Sequence, residues 1–168
     1  ALAEAEQLLA EGNIPAALAL YRSAWEESGK KLDFTFAYAA ALVTANRLDD
    51  AAALLQNIRL ADQDARYDQL LAQIQLAREA ARSPEVEALE AAMAANPDDH
   101  ATRIQLAIQL SQAAQYRDAL EHLLVVLRTD KDFNDGEARR VFLDTLATIG
   151  KGDPLAAEYQ RKLFSLMY

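Results

Sequence analysis

The 168-residue chain is 52% hydrophobic and 26% charged, with a net charge of −9 at pH 7 and no cysteine. That length holds one domain with a real core, or a short repeat array. The acidic balance argues against nucleic-acid or anionic-membrane partners, and the lack of cysteine excludes disulfides, thiolate catalysis and Cys-based zinc or iron–sulfur sites.

Ala and Leu dominate the hydrophobic share over Val, Ile and Thr, which favours helices over sheets. No stretch approaches the roughly 18 uninterrupted apolar residues of a transmembrane helix. In chain order, helices are expected at 1–11, 14–28, 33–46, 49–58, 64–81, 84–95, 100–114, 117–129, 135–149 and 154–167. The first begins at Ala1 with no charged-then-apolar leader, so it is not a signal peptide, and a fragment of a longer polypeptide is expected. Asn13 or Ile14 before Pro15 starts the second helix, while Ser83-Pro84-Glu85 and Asp153-Pro154 are N-cap-plus-proline starts. Gly29 and Gly150 are placed as the residues that close helices.

A repeat runs through these elements. Ala17, Ala51 and Ala119 stand 34 and 68 residues apart, one and two lengths of a tetratricopeptide unit. Ala5, Ala39 and Ala107 occupy the matching seat in each first helix, followed at i+3 by Leu8, Leu42 and Leu110. Small residues are needed there because two helices cross closely, and Tyr21, Leu55 and Leu123 supply the bulky plug one turn after the second alanine. The unit at 66–99 keeps Leu76, Leu89, Ala92 and Asn96-Pro97 in frame, but Gln73 and Glu85 fill its small-residue seats. It is degenerate, and its first helix is expected to be rotated. The expected fold is an all-α, tetratricopeptide-like solenoid of about five antiparallel helix pairs, with repeats over 1–133 and a C-terminal capping pair over 134–168.

Candidate chemistry is sparse. Asp98-Asp99-His100 has a metal-like look but sits at a helix start, where carboxylates cap. The segment from Asp130 to Glu137 lacks the Gly and Glu that a calcium loop needs at its sixth and twelfth positions, which hold Asp135 and Val141. It reads as a loop with Asn134 or Asp135 capping the next helix. Gly150-Lys151-Gly152-Asp153-Pro154 is neither a Walker loop nor a dinucleotide fingerprint. No catalytic residues, cofactor or metal are expected, and the chain reads as a non-enzyme.

Binding surface remains. In a solenoid of helical hairpins the first helices line the concave side. Leu2, Phe36, Val43, Ile104 and Ile108 fall on that face, with Tyr67, Leu70 and Ile74 nearby, so the expected groove holds apolar peptide; contact of several of these with the next repeat is the alternative. On the last helix Leu155, Tyr159, Leu163 and Leu166 form one stripe, whereas Phe164 and Tyr168 lie on the opposite side beside Arg161. A terminal helix should be polar outside, and aromatics plus Arg are the usual make-up of a binding hot spot. The partner-binding candidates are Tyr159, Arg161, Lys162, Phe164, Met167 and Tyr168; cover of this face by a missing domain or a symmetry mate is the alternative.

Asp62-Gln63-Asp64-Ala65-Arg66-Tyr67, followed by Leu71-Ala72-Gln73-Ile74, resembles the central segment of the C-terminal half of a bacterial thioredoxin-like co-chaperone, the co-chaperedoxin family. So do Phe133-Asn134-Asp135-Gly136-Glu137-Ala138-Arg139-Arg140 and the ending from Gly150 to Tyr168. The resemblance implies a thioredoxin-like domain preceding this chain and a cytoplasmic holdase of the stress response. It also implies that unfolded client proteins are handed to a GroEL-type chaperonin gripped by the C-terminal helix, at Tyr159 to Tyr168. A tetratricopeptide scaffold without chaperone activity is the alternative.

Overall fold

The computed structural model describes residues 2–168 and contains ten α-helices and no strand among them. The helices are α1 (Leu2–Ala10), α2 (Ile14–Glu27), α3 (Leu32–Thr44), α4 (Leu48–Gln56), α5 (Ala65–Ala80), α6 (Pro84–Ala95), α7 (His100–Gln112), α8 (Tyr116–Thr129), α9 (Phe133–Ile149) and α10 (Pro154–Met167). A single 3-10 turn at Leu60–Asp62, which the sequence reading lacked, precedes α5. The all-α, tetratricopeptide-like architecture expected from the spacing is the one observed. The chain divides into two compact units, Ala1–Ala81 and Arg82–Tyr168.

In the first unit α1 pairs with α2 and α3 with α4, α2 also packs on α3, and α5 lies against α3 and α4. Ala5, Ala17, Ala39 and Ala51 are fully buried, as the close crossing of each pair requires. In the second unit α7 and α8 make the equivalent pair, with Ala107 and Ala119 fully buried. A Leu at any of these six seats would overpack the crossing and cost about 1–3 kcal/mol or more. The plugs follow the same register, since Tyr21, Leu55 and Leu123 are all buried.

The repeat is also written in the backbone. Gly12, Asn46 and Ala114 hold the same place in their hairpins, and all three have positive φ, at 83°, 59° and 58°. Each time the next residue's N–H reaches back to a leucine carbonyl, from Asn13 to Leu8 (2.9 Å), Arg47 to Leu42 (2.8 Å) and Gln115 to Leu110 (2.8 Å). This crossed pattern satisfies carbonyls that the helix end would otherwise orphan. Only the first turn uses glycine, so helix packing holds Ala114 in a conformation that its own Cβ disfavours.

The degenerate repeat is rotated in both of its helices. In α5 Leu70 and Ile74 are buried while Gln73 is exposed, and Leu76, in frame by spacing, is 66% exposed. In α6 Val86 and Met93 are buried in place of Glu85 and Ala92. Shifting the buried stripe by one residue turns a helix by about 100°. The polar residues at the small seats cause it, because a carboxylate or amide at a dry crossing lacks partners. The two compact units meet in sequence within this repeat, α5 belonging to the first and α6 to the second.

In the second unit α8 is central, packing on α7, α9 and α10. Ser83 and Asp153 cap their helices as expected, accepting from the N–H of Val86 (3.1 Å) and Leu155 (2.9 Å). Asp99 does the same for Thr102 (3.2 Å), the capping role expected at this helix start. The start of α9 differs from expectation. No side chain caps its first residue, and Asn134, Asp135 and Gly136 form a left-handed kink within it, with φ of 49°, 57° and 81°. The Arg140 guanidinium reaches back to the carbonyl oxygens of Asp135 and Asn134, and the Asn134 amide donates to Glu137.

Candidate protein-interaction surfaces

Helix α10 is positioned by its inner stripe. Leu155, Tyr159 and Leu163 recur at i, i+4 and i+8 and are buried against the second unit's core. Tyr159 is held most firmly. Its hydroxyl donates to Glu121 Oε1 (3.0 Å), and its ring packs against Phe142 with centroids 6.5 Å apart. Lys162 Nζ stands 4.5 Å from the ring centroid. Burial pushes the Tyr159 phenol pKa up, helped by the hydrogen bond to Glu121. Arg117 of α8 joins Glu158 at 2.9 Å, and Lys162 joins Glu158 at 3.3 Å. The Arg117 hydrogen bond holds the Glu158 carboxyl below the usual glutamate range. These contacts fix which side of α10 faces outward.

That outer side carries Phe164, 65% exposed, and Tyr168, 86% exposed, their ring centroids 4.8 Å apart. The rings border an open hollow of about 790 Å³ lined also by Ala157, Gln160, Arg161 and Ser165. Arg161 also borders a second hollow, shared with Arg128 of α8 and Lys162. Two aromatics in water next to cationic side chains are the composition that anchors a protein partner.

Of the six partner-binding candidates, Arg161, Lys162, Phe164 and Tyr168 are exposed, and Met167 is half-buried against the core. Tyr159, only 1% exposed, is corrected to a core residue because its ring and hydroxyl are both consumed inside the fold. Spacing missed Ala157 and Gln160, although both lie one or two turns before Phe164 on its own stripe and a wheel centred on Phe164 finds them.

Half of the expected apolar groove is core. Phe36, Leu70 and Ile74 are buried in the first unit and Ile104 in the second. Leu2, Val43 and Tyr67 are half-buried against the first core, and Ile108 against the second. Over Phe36 lies Arg66, its guanidinium carbon 4.4 Å from the ring centroid, held there by Asp33 and Asp64, each at 2.8 Å. These side chains hold neighbouring helices together, which leaves them little surface for a client.

No described helix is long and apolar enough to cross a membrane. Tetratricopeptide-repeat family models match residues 8–74 and 79–168. An uncharacterized protein of Haemophilus influenzae is 40% identical over 157 residues, spanning 93% of this chain and 72% of that protein. The crystal structure of a domain of protein VP0806, of unknown function, from Vibrio parahaemolyticus is similar with a TM-score of 0.77 and 34% identity, covering 99% of this chain and 98% of that one.

Proposed function

The chain belongs to the tetratricopeptide-repeat family, whose domains are protein-interaction modules, and from that premise we propose that it is the client-handover half of a co-chaperone that docks on a GroEL-type chaperonin. One observation carries the reading: α10 keeps Phe164 and Tyr168 in water on the side away from its own core. Contiguous exposed aromatics on a small protein mark an interaction site, since leaving them uncovered opposes the hydrophobic effect. The resemblance of the Asn134-Asp135-Gly136 and Gly150-to-Tyr168 segments to the co-chaperedoxins supports the choice of partner. In this reading a thioredoxin-like domain precedes the chain in the intact protein and carries any thiol chemistry. The final pair, 134–168, serves as the docking cap, and the protein works in the cytosol during stress. Burial of Phe36, Leu70, Ile74 and Ile104 weakens the groove as a client surface, so the holdase role rests on exposed surface instead.

The test is pull-down of purified GroEL-type chaperonin by the chain and by its Phe164→Asp/Tyr168→Asp variant. Loss of capture with unchanged helicity is the expected result. Equal capture by both proteins refutes docking through α10. Suppression of light scattering by a heat-denatured client is then measured on the same samples. A chain that leaves scattering unaltered is a scaffold and not a holdase.

A further inference from the structure

The first unit contains a cavity that the interaction reading does not use. It has a volume of about 520 Å³ and opens where the end of α2, the start of α3 and the end of α4 converge. That volume lies within the range of small-ligand sites. One wall is Trp25, the chain's single tryptophan. Its indole is fixed on two sides, since Nε1 donates to Thr35 Oγ1 at 2.9 Å and the ring packs on Tyr38 with centroids 5.6 Å apart. Leu54 and Ile58 add aliphatic surface.

The lining also carries polar groups, Thr35 and Asn57 among them, and its charged groups are unequal. Lys30 and Arg59 are cationic and Asp62 is the one carboxylate of the lining. Lys30 is anchored through its backbone, with φ at 62° and its N–H bonded to the Trp25 carbonyl at 2.9 Å, and its Nζ stands 5.0 Å from the Trp25 ring centroid. Arg59 meets Asp62 at 3.3 Å through Nε with its side chain almost fully exposed. A pair so exposed contributes little, so its guanidinium can turn to an incoming anion at small cost. A cavity of mixed lining, with Trp25, Leu54 and Ile58 as its apolar surface and two cationic side chains beside them, suits a molecule that is apolar at one end and anionic at the other.

We propose that this cavity binds a small carboxylic acid with an aromatic or branched apolar body, the body lying against Trp25, Leu54 and Ile58 and the carboxylate held between Lys30 and Arg59. The same chemistry at the end of a polypeptide would be a C-terminal apolar residue, and the chain length of the probe separates the two sources.

The experiment titrates the full chain with phenylacetate and with neutral phenylacetamide, read by Trp25 fluorescence and by the NMR shift of its indole N–H. Saturable binding of the acid, at least about tenfold tighter than the amide, is expected because only the acid engages both cations. Lys30→Met and Arg59→Met should each weaken the acid and leave the amide unchanged. A blocked tripeptide ending in free Phe that binds more tightly than phenylacetate assigns the site to polypeptide ends and overturns the small-acid proposal. No saturable shift, equal binding of acid and amide, or wild-type affinity in the Lys30→Met/Arg59→Met double variant also overturns it. Each variant is first checked by its unfolding midpoint. If Lys30→Met is destabilised, Arg59→Met, whose side chain lies in solvent, decides alone.

Discussion

Tyr159 lies within α10 and Tyr168 closes its C-terminus, and the two meet opposite fates. The first is sealed in the core with its hydroxyl on Glu121, and the second lies in solvent with its ring on Phe164. Nothing in the residue type separates them; the side of α10 does, and that side is set by Leu155 and Leu163 and by the Arg117–Glu158 pair. An exposed aromatic on a helix with so well-determined an orientation is a property of the folded unit and not of a loosely placed side chain. The Val86 and Met93 stripe of α6 teaches the same from the other direction, since one residue of phase decides which side chains are core.

The sharpest way to break the contrast is truncation. Tyr159→Ala should lower unfolding free energy by about 3–5 kcal/mol in urea titration, the usual range for deleting a buried aromatic. Tyr159→Phe keeps the ring and loses the hydrogen bond to Glu121, so a smaller loss of about 1–2 kcal/mol is expected. A Tyr159→Ala protein as stable as wild type would place this ring outside the core and dissolve the distinction.

Acid titration sharpens the comparison further. Glu158 has its folded-state pKa depressed, first by the hydrogen bond from Arg117. Its stabilising effect is therefore fully present above the unfolded glutamate value, about 4.3, and is lost as pH falls through the lower folded value. Wild type should exceed Glu158→Gln in unfolding midpoint at neutral pH, and the gap should close toward strong acid. A gap that widens on acidification contradicts the assigned sign. The smallest effect belongs to the outer side. Phe164→Ala and Tyr168→Ala should stay within about 0.5 kcal/mol of wild type, because they remove no core contact.

The spacing of Ala5, Ala17, Ala39, Ala51, Ala107 and Ala119 made the fold legible, because a close helix crossing tolerates few side chains and leaves a strict period. The outward placement of Phe164 and Tyr168 could be read from a helical wheel for a similar reason, as the inner stripe of α10 is unambiguous. Other residues could not be placed so easily. Phe36 and Ile104 sit on first helices and look like groove, yet their exposure depends on what packs over them, such as Arg66 across Phe36. The left-handed run at Asn134–Gly136 was hidden because two of its three residues are ordinary cap formers, and it is Arg140, further along, that holds their carbonyls. The Trp25 cavity was equally invisible, since its walls come from three helix ends separated in sequence.

The identical turns at Gly12, Asn46 and Ala114 have an evolutionary consequence. Because the same crossed hydrogen bonds form around glycine, asparagine and alanine, the turn does not require glycine, and the two helices of each hairpin meet in the same way across different turn sequences. A 34-residue block copied whole would carry such a turn inside it, and with the turn the crossing of its own two helices.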